Sequence, residues 1–376
     1  MSAGKIIGGC LAAAVLFHND PAFAYQWGEV EINPLASVEE EYDSNITYAH
    51  SGVLSDFITS PRVGVEGTYT GKNSSADFKT SLEEQIYSKY SQYDNLSEYL
   101  SGNYQADYTY YDHLKLYDSF EHAEDPTTFA QQFGRSNGRY EYYENDLHAV
   151  WTHDFTSRFS VQYKISTDYY DPQLEGLQSS FQIKPGIEGD FALSDRLRLL
   201  AYDDFTNRDY SQYGDMFKDS VGMGLRNYWT PQLYLEAKAG EDFIQPIVGS
   251  DTSRPQYIVS LNDQRDQNTL YTLSYSKEYQ DTPYSEFLFN NWQASLEVKK
   301  DLTARMSFYA SAFTGGGVYV GEDLKEHLNG VGAGLIIHVT RNTDVRAEYR
   351  ISDNSSNTEE DSYKKQTALL EITIKF

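Results

Sequence analysis

Cysteine is almost absent: the 376-residue chain holds one, Cys10. That excludes a disulfide framework and any Cys-rich metal module. Basic residues are also in short supply, with Lys+Arg 30 against Asp+Glu 56 and a formal net charge of -26. A chain so acidic does not suit nucleic acid, whose phosphates need basic neutralisation. Long apolar runs are missing after the N-terminus, where no stretch approaches the ~20 residues of a spanning helix. A helical inner-membrane protein is thereby excluded. Catalytic and metal motifs are missing too. We find no Gly-x-Ser-x-Gly, no His-Glu-x-x-His and no calcium loop, so no catalytic, cofactor-binding or metal residue is assigned. Aromatics, by contrast, are abundant, with 33 Tyr and 19 Phe. Disordered chains are poor in aromatics, so a mean hydropathy of -0.60 beside so many rings needs a structural reason.

The N-terminus is a separate unit. Lys5 precedes the apolar stretch Ile6 to Phe17, and Ala22-Phe23-Ala24 follows Pro21. Charged start, short apolar middle and Ala-x-Ala end predict a secretory signal peptide over residues 1–24, cut before Tyr25. Cleavage would remove Lys5, Asp20 and Cys10 together, leaving an exported chain of unchanged net charge without cysteine. Cys10 does not fit a lipoprotein site, because the main apolar run follows it.

The rest of the chain has a period of two. Trp292, Ala294, Leu296 and Val298 alternate with Gln293, Ser295, Glu297 and Lys299. Phe159 to Ser166, Leu233 to Ala239 and Val345 to Ile351 alternate likewise. Each segment therefore has one apolar and one polar face as a strand. A β-sandwich would hide the apolar faces between two sheets. A transmembrane barrel would turn them to lipid and keep the polar faces around a lumen.

Connection lengths favour the barrel. Short turns fall at 70–74, 111–113, 153–157, 193–195, 230–231, 262–266, 300–303 and 340–343. Each carries Asp, Asn, Gly, Pro or Ser chemistry suited to reversal. Longer loops alternate with them, including 123–137, 242–254, 314–327 and 352–362. Gly315-Gly316-Gly317 reads as part of such a loop. Short turns at one end and long loops at the other are the outer-membrane pattern. The expectation is an all-β, antiparallel up-and-down barrel over residues 25–376, with about 18 strands and both termini periplasmic. Sixteen strands remain open if Leu114 to His122 does not span. Only Tyr25 to about Asn33 precedes the first strand, which leaves no room for a plug. The last segment alternates Ala368, Leu370, Ile372 and Ile374 and ends on Phe376, the form of a barrel-assembly signal.

The polar face nominates the lumen. Arg62, Glu66, Lys164, Arg196, Arg198, Arg226, Glu236, Lys238, Glu297, Lys299, Arg305, Arg346, Glu348, Arg350 and Glu371 fall on it. Charges facing lipid would cost ~2–4 kcal/mol each near the midplane, so these should line a hydrated conduit or pair within it. Tyr170, Tyr202, Tyr228, Tyr234 and Tyr309 share that phase. A lumen tyrosine offers a ring face and a hydroxyl to a sugar, or else packs against loops. Tyr42, Tyr69, Tyr349 and Trp229 fit the aromatic girdles. The acidic groups Glu39-Glu40-Glu41 with Asp43, and Glu359-Glu360-Asp361, read as solvated loop charge or as divalent-cation contacts near lipopolysaccharide.

Tyr42-Asp43-Ser44-Asn45-Ile46, followed by Ser55-Asp56-Phe57 and Pro61-Arg62-Val63, resembles the β-barrel porin family of exopolysaccharide biosynthesis loci. The hairpin Asn145 to Gln162 is similar as well. The resemblance implies an outer-membrane barrel that exports a secreted polysaccharide. Its partners would be a periplasmic polysaccharide-export protein and an inner-membrane copolymerase. It assigns no catalytic residue. A diffusion porin for small solutes and a structural or adhesive surface barrel stay open beside it. The expected surroundings are the Gram-negative outer membrane, its lipid and lipopolysaccharide, and the barrel-assembly machinery. No cofactor and no nucleic acid are expected, and the oligomeric state is left undetermined.

Overall fold

The computed structural model describes residues 25–124, 139–247, 249–266, 269–282, 285–320 and 323–376. The expected signal peptide and most of the 123–137 loop lie outside them. The strands are β1 (Tyr25–Trp27), β2 (Val30–Asp43), β3 (Asp56–Thr70), β4 (Ser74–Tyr87), β5 (Asn95–Asp107) and β6 (Asp112–Ala123). They continue with β7 (Tyr142–Thr156), β8 (Phe159–Pro172), β9 (Ser180–Ala192), β10 (Leu197–Tyr210), β11 (Gly214–Tyr228), β12 (Leu233–Gln245) and β13 (Thr252–Asp266). The last six are β14 (Thr269–Thr282), β15 (Ser285–Thr303), β16 (Met306–Tyr319), β17 (Lys325–His338), β18 (Thr343–Ser356) and β19 (Tyr363–Lys375).

From β2 onward every strand pairs antiparallel with the next. β19 then pairs with β2, from Thr367 opposite Asp43 to Lys375 opposite Leu35, and closes the sheet. The result is an 18-strand up-and-down barrel, with β1 folded back on β2 as a short hairpin. The doubtful segment Leu114 to His122 is the body of β6, paired on both sides, which excludes the 16-strand alternative. Closure leaves no free edge. Most of these strands exceed the ~9–11 residues that cross a bilayer.

The usual inside and outside are reversed. Leu100, Ile187, Leu225, Val331 and Leu370 are exposed on the outer wall. The opposite phase buries Ser37, Glu83, Glu188, Asp190 and Glu371. A barrel turned outward to lipid needs only alternate residues apolar, which explains how mean hydropathy stays low.

The short turns share a device. Thr156, Ser194, Thr230, Thr303 and Thr340 each accept, through the side-chain hydroxyl, a backbone N–H two or three residues on. That local bond satisfies a turn amide and fixes the reversal. Several boundaries differ from expectation. β13 runs through 262–266 and β15 through 300–303, while the β5–β6 turn occupies 108–111. The 242–254 loop shrinks to the residues between Gln245 and Thr252.

Gly315-Gly316-Gly317 is not a loop but part of β16. A Cβ at Gly317 would lie 2.2 Å from the Asn290 carbonyl oxygen, so the β15 backbone approaches too closely for a side chain. The acidic group Glu39-Glu40-Glu41 and Asp43 is likewise strand β2 rather than loop.

Candidate channel lumen

Strand curvature brings side chains from non-neighbouring strands together on the concave inner face, and there the charged residues form two arcs. In the first, Arg62 Nε donates to Glu83 at 2.6 Å and Arg62 Nη1 stands 3.8 Å from Glu371. Arg346 bridges Glu371 at 3.2 Å and Glu39 at 3.1 Å. This chain runs unbroken from β18 across β19, β2 and β3 to β4. Toward the short-turn end, Glu66 holds Lys375 at 2.8 Å and Lys79 at 3.3 Å. Arg350 pairs with Glu348, which also accepts the Tyr309 hydroxyl at 2.5 Å.

The second arc covers β8 to β12. Lys164 meets Asp204 at 3.1 Å and Glu188 at 3.5 Å. Lys238 reaches back from β12 to Glu188 on β9 at 2.9 Å. Arg226 bridges Glu236 at 2.6 Å and Asp190 at 3.3 Å, and Arg198 donates to Asp190 at 2.6 Å. Pairs in contact with water contribute only ~0–1 kcal/mol each. Their main effect is to pin long side chains against the wall. Between the arcs, Glu144, Asp146 and Asp168 place carboxylate oxygens within 4.8 Å of one another, and Arg208 pairs with Asp168.

The remaining wall, β13 to β16, is mostly neutral. Ser274 and Ser295 share a hydrogen bond of 2.6 Å, and Asn262 donates to Ser260 at 3.0 Å. Beside it a chamber of about 500 Å³ opens between β15–β19 and β2–β3. Glu297, Ser311, Gly332 and Arg350 lie in one row across its wall, each directly opposite the next on adjacent strands. Gly332 presents no side chain, which makes the room.

Two elements lean over the long-loop mouth. The 44–55 loop places Ile46 against Ile58 and Tyr87. Fully buried Asn45 donates to the carbonyls of Ala49 at 2.9 Å and Lys364 at 3.0 Å. The Asp56 carboxylate accepts the amides of Phe57, Lys89 and Tyr90. Lys365 Nζ pairs with Asp43 at 2.8 Å and sits 4.0 Å over the Tyr48 ring. The residues that carried the family resemblance thus knot two loops and the start of β19 together at the mouth.

The second element is the end of the β14–β15 hairpin. Lys218 Nζ donates to the Tyr279 carbonyl at 2.8 Å, and the Tyr210 hydroxyl donates to the Thr282 carbonyl at 2.6 Å. These donors stand on β10 and β11, so the hairpin end leans over the inner face of β13 and β12. It buries Tyr279 and Leu288 against Tyr210, Met216 and Ile244.

Most nominated charges fall on the inner face: Arg62, Glu66, Lys164, Arg198, Arg226, Glu236, Lys238, Glu297, Lys299, Arg346, Glu348, Arg350 and Glu371. Arg196 and Arg305 do not. Both are exposed turn residues, just before Leu197 and Met306, because the alternating pattern of each strand runs on into its turn. The tyrosines divide. Tyr202 is buried with its hydroxyl 2.7 Å from Gln256 Oε1, Tyr170 is fully buried beside Tyr140, and Tyr309 is tied to Glu348. Tyr228 and Tyr234 pack together at the short-turn rim, with ring centroids 5.3 Å apart. Sequence reading singled out Glu39 and Asp43 without assigning them to the lumen, and missed Glu83, Glu188, Asp190, Arg208 and Lys365, although their phase along each strand was the available signal. Phe376 ends the closing strand, its amide 2.9 Å from the Pro34 carbonyl oxygen.

No family model matches the sequence, and no curated protein does. Solved structures match the fold. Pseudomonas aeruginosa OccK2 (OpdF) in complex with glucuronate superposes with a TM-score of 0.50 at 8% identity, covering 93% of this chain and 98% of that one. The outer membrane protein OpdK from Pseudomonas aeruginosa gives 0.49 at 8% identity, covering 92% and 99%. Acinetobacter baumannii OccAB3 gives 0.46 at 11% identity, with the same coverage. The chain has the closed 18-strand fold of the outer-membrane porins.

Proposed function

We propose that the protein is an outer-membrane diffusion channel that selects small hydrophilic solutes. The observation that carries this reading is the inner face. Charged side chains are pinned to the wall in two arcs, and exposed Glu297, Ser311 and Arg350 border an open chamber. A barrel built only to be blocked would fill that space with packed side chains. OccK2 was solved with glucuronate, a solute of the size such a chamber could admit. In this reading the short-turn end faces the periplasm, the chain arrives by a cleaved leader, and Phe376 serves the assembly machinery. The test is swelling of liposomes that contain the purified barrel. Monosaccharides should enter faster than trisaccharides, and an absence of swelling with any sugar would refute the channel.

The second reading is export of a polysaccharide alongside a periplasmic export protein. The Asp43-Ser44-Asn45 and Ser55-Asp56-Phe57 motifs favour it. Against it, the 44–55 loop and the β14–β15 hairpin narrow the mouth through buried contacts that a polymer would have to displace. A deletion strain with normal surface polysaccharide would eliminate this reading. A glycan track over Tyr202 also has little support, because that ring is buried.

A further inference from the structure

We propose that the row Glu297–Ser311–Gly332–Arg350 is a solute subsite for a hydroxylated compound bearing an ammonium group. The proposal rests on the channel reading and names the solute class. The first observation is how the lumen bases are used. Arg62, Arg346, Lys164, Lys238 and Arg226 each face two carboxylates, while Arg350 is held by Glu348. A carboxylate solute entering the chamber therefore meets guanidinium and ammonium groups already neutralised.

Glu297 is the opposite case. It is exposed on the inner face, and none of the described residues gives it a hydrogen bond or ion pair. On the chamber side the groups beside it are hydroxyls and amides, while Lys299 follows on the same face of β15 toward the short turns. Ser311 lies directly opposite on β16, and Ser295 and Gln293 follow on the same face of β15. A fixed carboxylate bordered on its chamber side by neutral hydrogen-bonding groups suits one cationic amine and several hydroxyls.

Size and room agree. Gly330 and Gly332 leave the β17 wall bare within the chamber, and Phe313 lies over Gly330, so an apolar ring forms part of the same wall. A volume of about 500 Å³ lies within the usual range of small-molecule sites. Neighbouring strands stand ~4.8 Å apart. Three spacings therefore separate Glu297 from Arg350, and their side chains leave a gap of sugar width between them. The amine goes to Glu297 and the hydroxyls to Ser311 and Gln293, while Arg350 stays with Glu348.

The test is block of the open-channel current by glucosamine, glucose and glucuronate, at about pH 6 where an amine is protonated. Glucosamine should bind up to about fivefold more tightly than glucose, the factor that an ion pair worth ~1 kcal/mol supplies. Glucuronate should bind most weakly. Glu297→Gln should bring glucosamine down to the level of glucose, whereas Arg196→Gln, in an exposed turn away from the chamber, should leave the order intact. Equal binding of glucosamine and glucose, tighter binding of glucuronate, or an unchanged order in Glu297→Gln would overturn the proposal while leaving the channel standing. No current from the wild-type protein would overturn the channel reading and this proposal with it.

Discussion

Lys365 shows how a single residue is committed. Its side chain and that of Asp43 are 5% and 1% exposed and lie 2.8 Å apart. Removing one partner of a buried pair strands the other, at about 3–5 kcal/mol. Lys365→Ala should therefore lower the unfolding free energy of the lipid-reconstituted barrel by that much, read from denaturant titration. Replacing both residues with apolar side chains of similar volume should recover most of the loss. If the single variant unfolds like wild type, the 44–55 knot does not anchor the mouth. Asp43 and Asn45 were legible in the sequence as a motif, but their structural work was not. Asn45 bonds to Lys364 across 319 positions of chain, and alternation carries no information about such a contact.

Elements show which parts of the pattern survive folding. The period of two marked most spanning strands, because one face must meet lipid and the other water, but left β6 open. It failed where that contrast ends. Arg196 and Arg305 continue the polar phase but stand in turns fixed by Ser194 and Thr303. The run Gly315–Gly317 looks like loop composition, yet backbone approach from β15 makes it strand. Aromatic rings covering glycines on the paired strand are a related device. Tyr309 lies over Gly334, where an added Cβ would fall 2.3 Å from the ring. Gly334→Val should expel Tyr309 from Glu348 and cut the yield of heat-modifiable folded barrel severalfold. Gly102→Ala, where an added Cβ would meet nothing closer than 3.8 Å, should have a much smaller effect.

The β14–β15 hairpin is the other element with a measurable role. Its inward lean depends on Lys218 and Tyr210 donating to its carbonyls. A Lys218→Met, Tyr210→Phe double variant should free the hairpin end. Single-channel records should then show larger conductance and more open-channel noise than wild type. Records indistinguishable from wild type would mean that the hairpin does not constrict the path.

For the whole molecule, the -26 charge is the property still to be placed. The expectation that excess acid gathers in loops holds only in part. Glu39, Asp43, Glu144, Asp146, Glu188 and Asp190 all stand on the inner face, and paired bases offset only some of them. In the proposed channel most lumen bases are thus paired and the residual field is negative, which concentrates cations. The reversal potential across a planar bilayer under a potassium chloride gradient reads that field directly. The account predicts steady current that reverses toward the potassium potential, less so at high salt where the field is screened. A barrel that passes no current, or that prefers chloride, would contradict it.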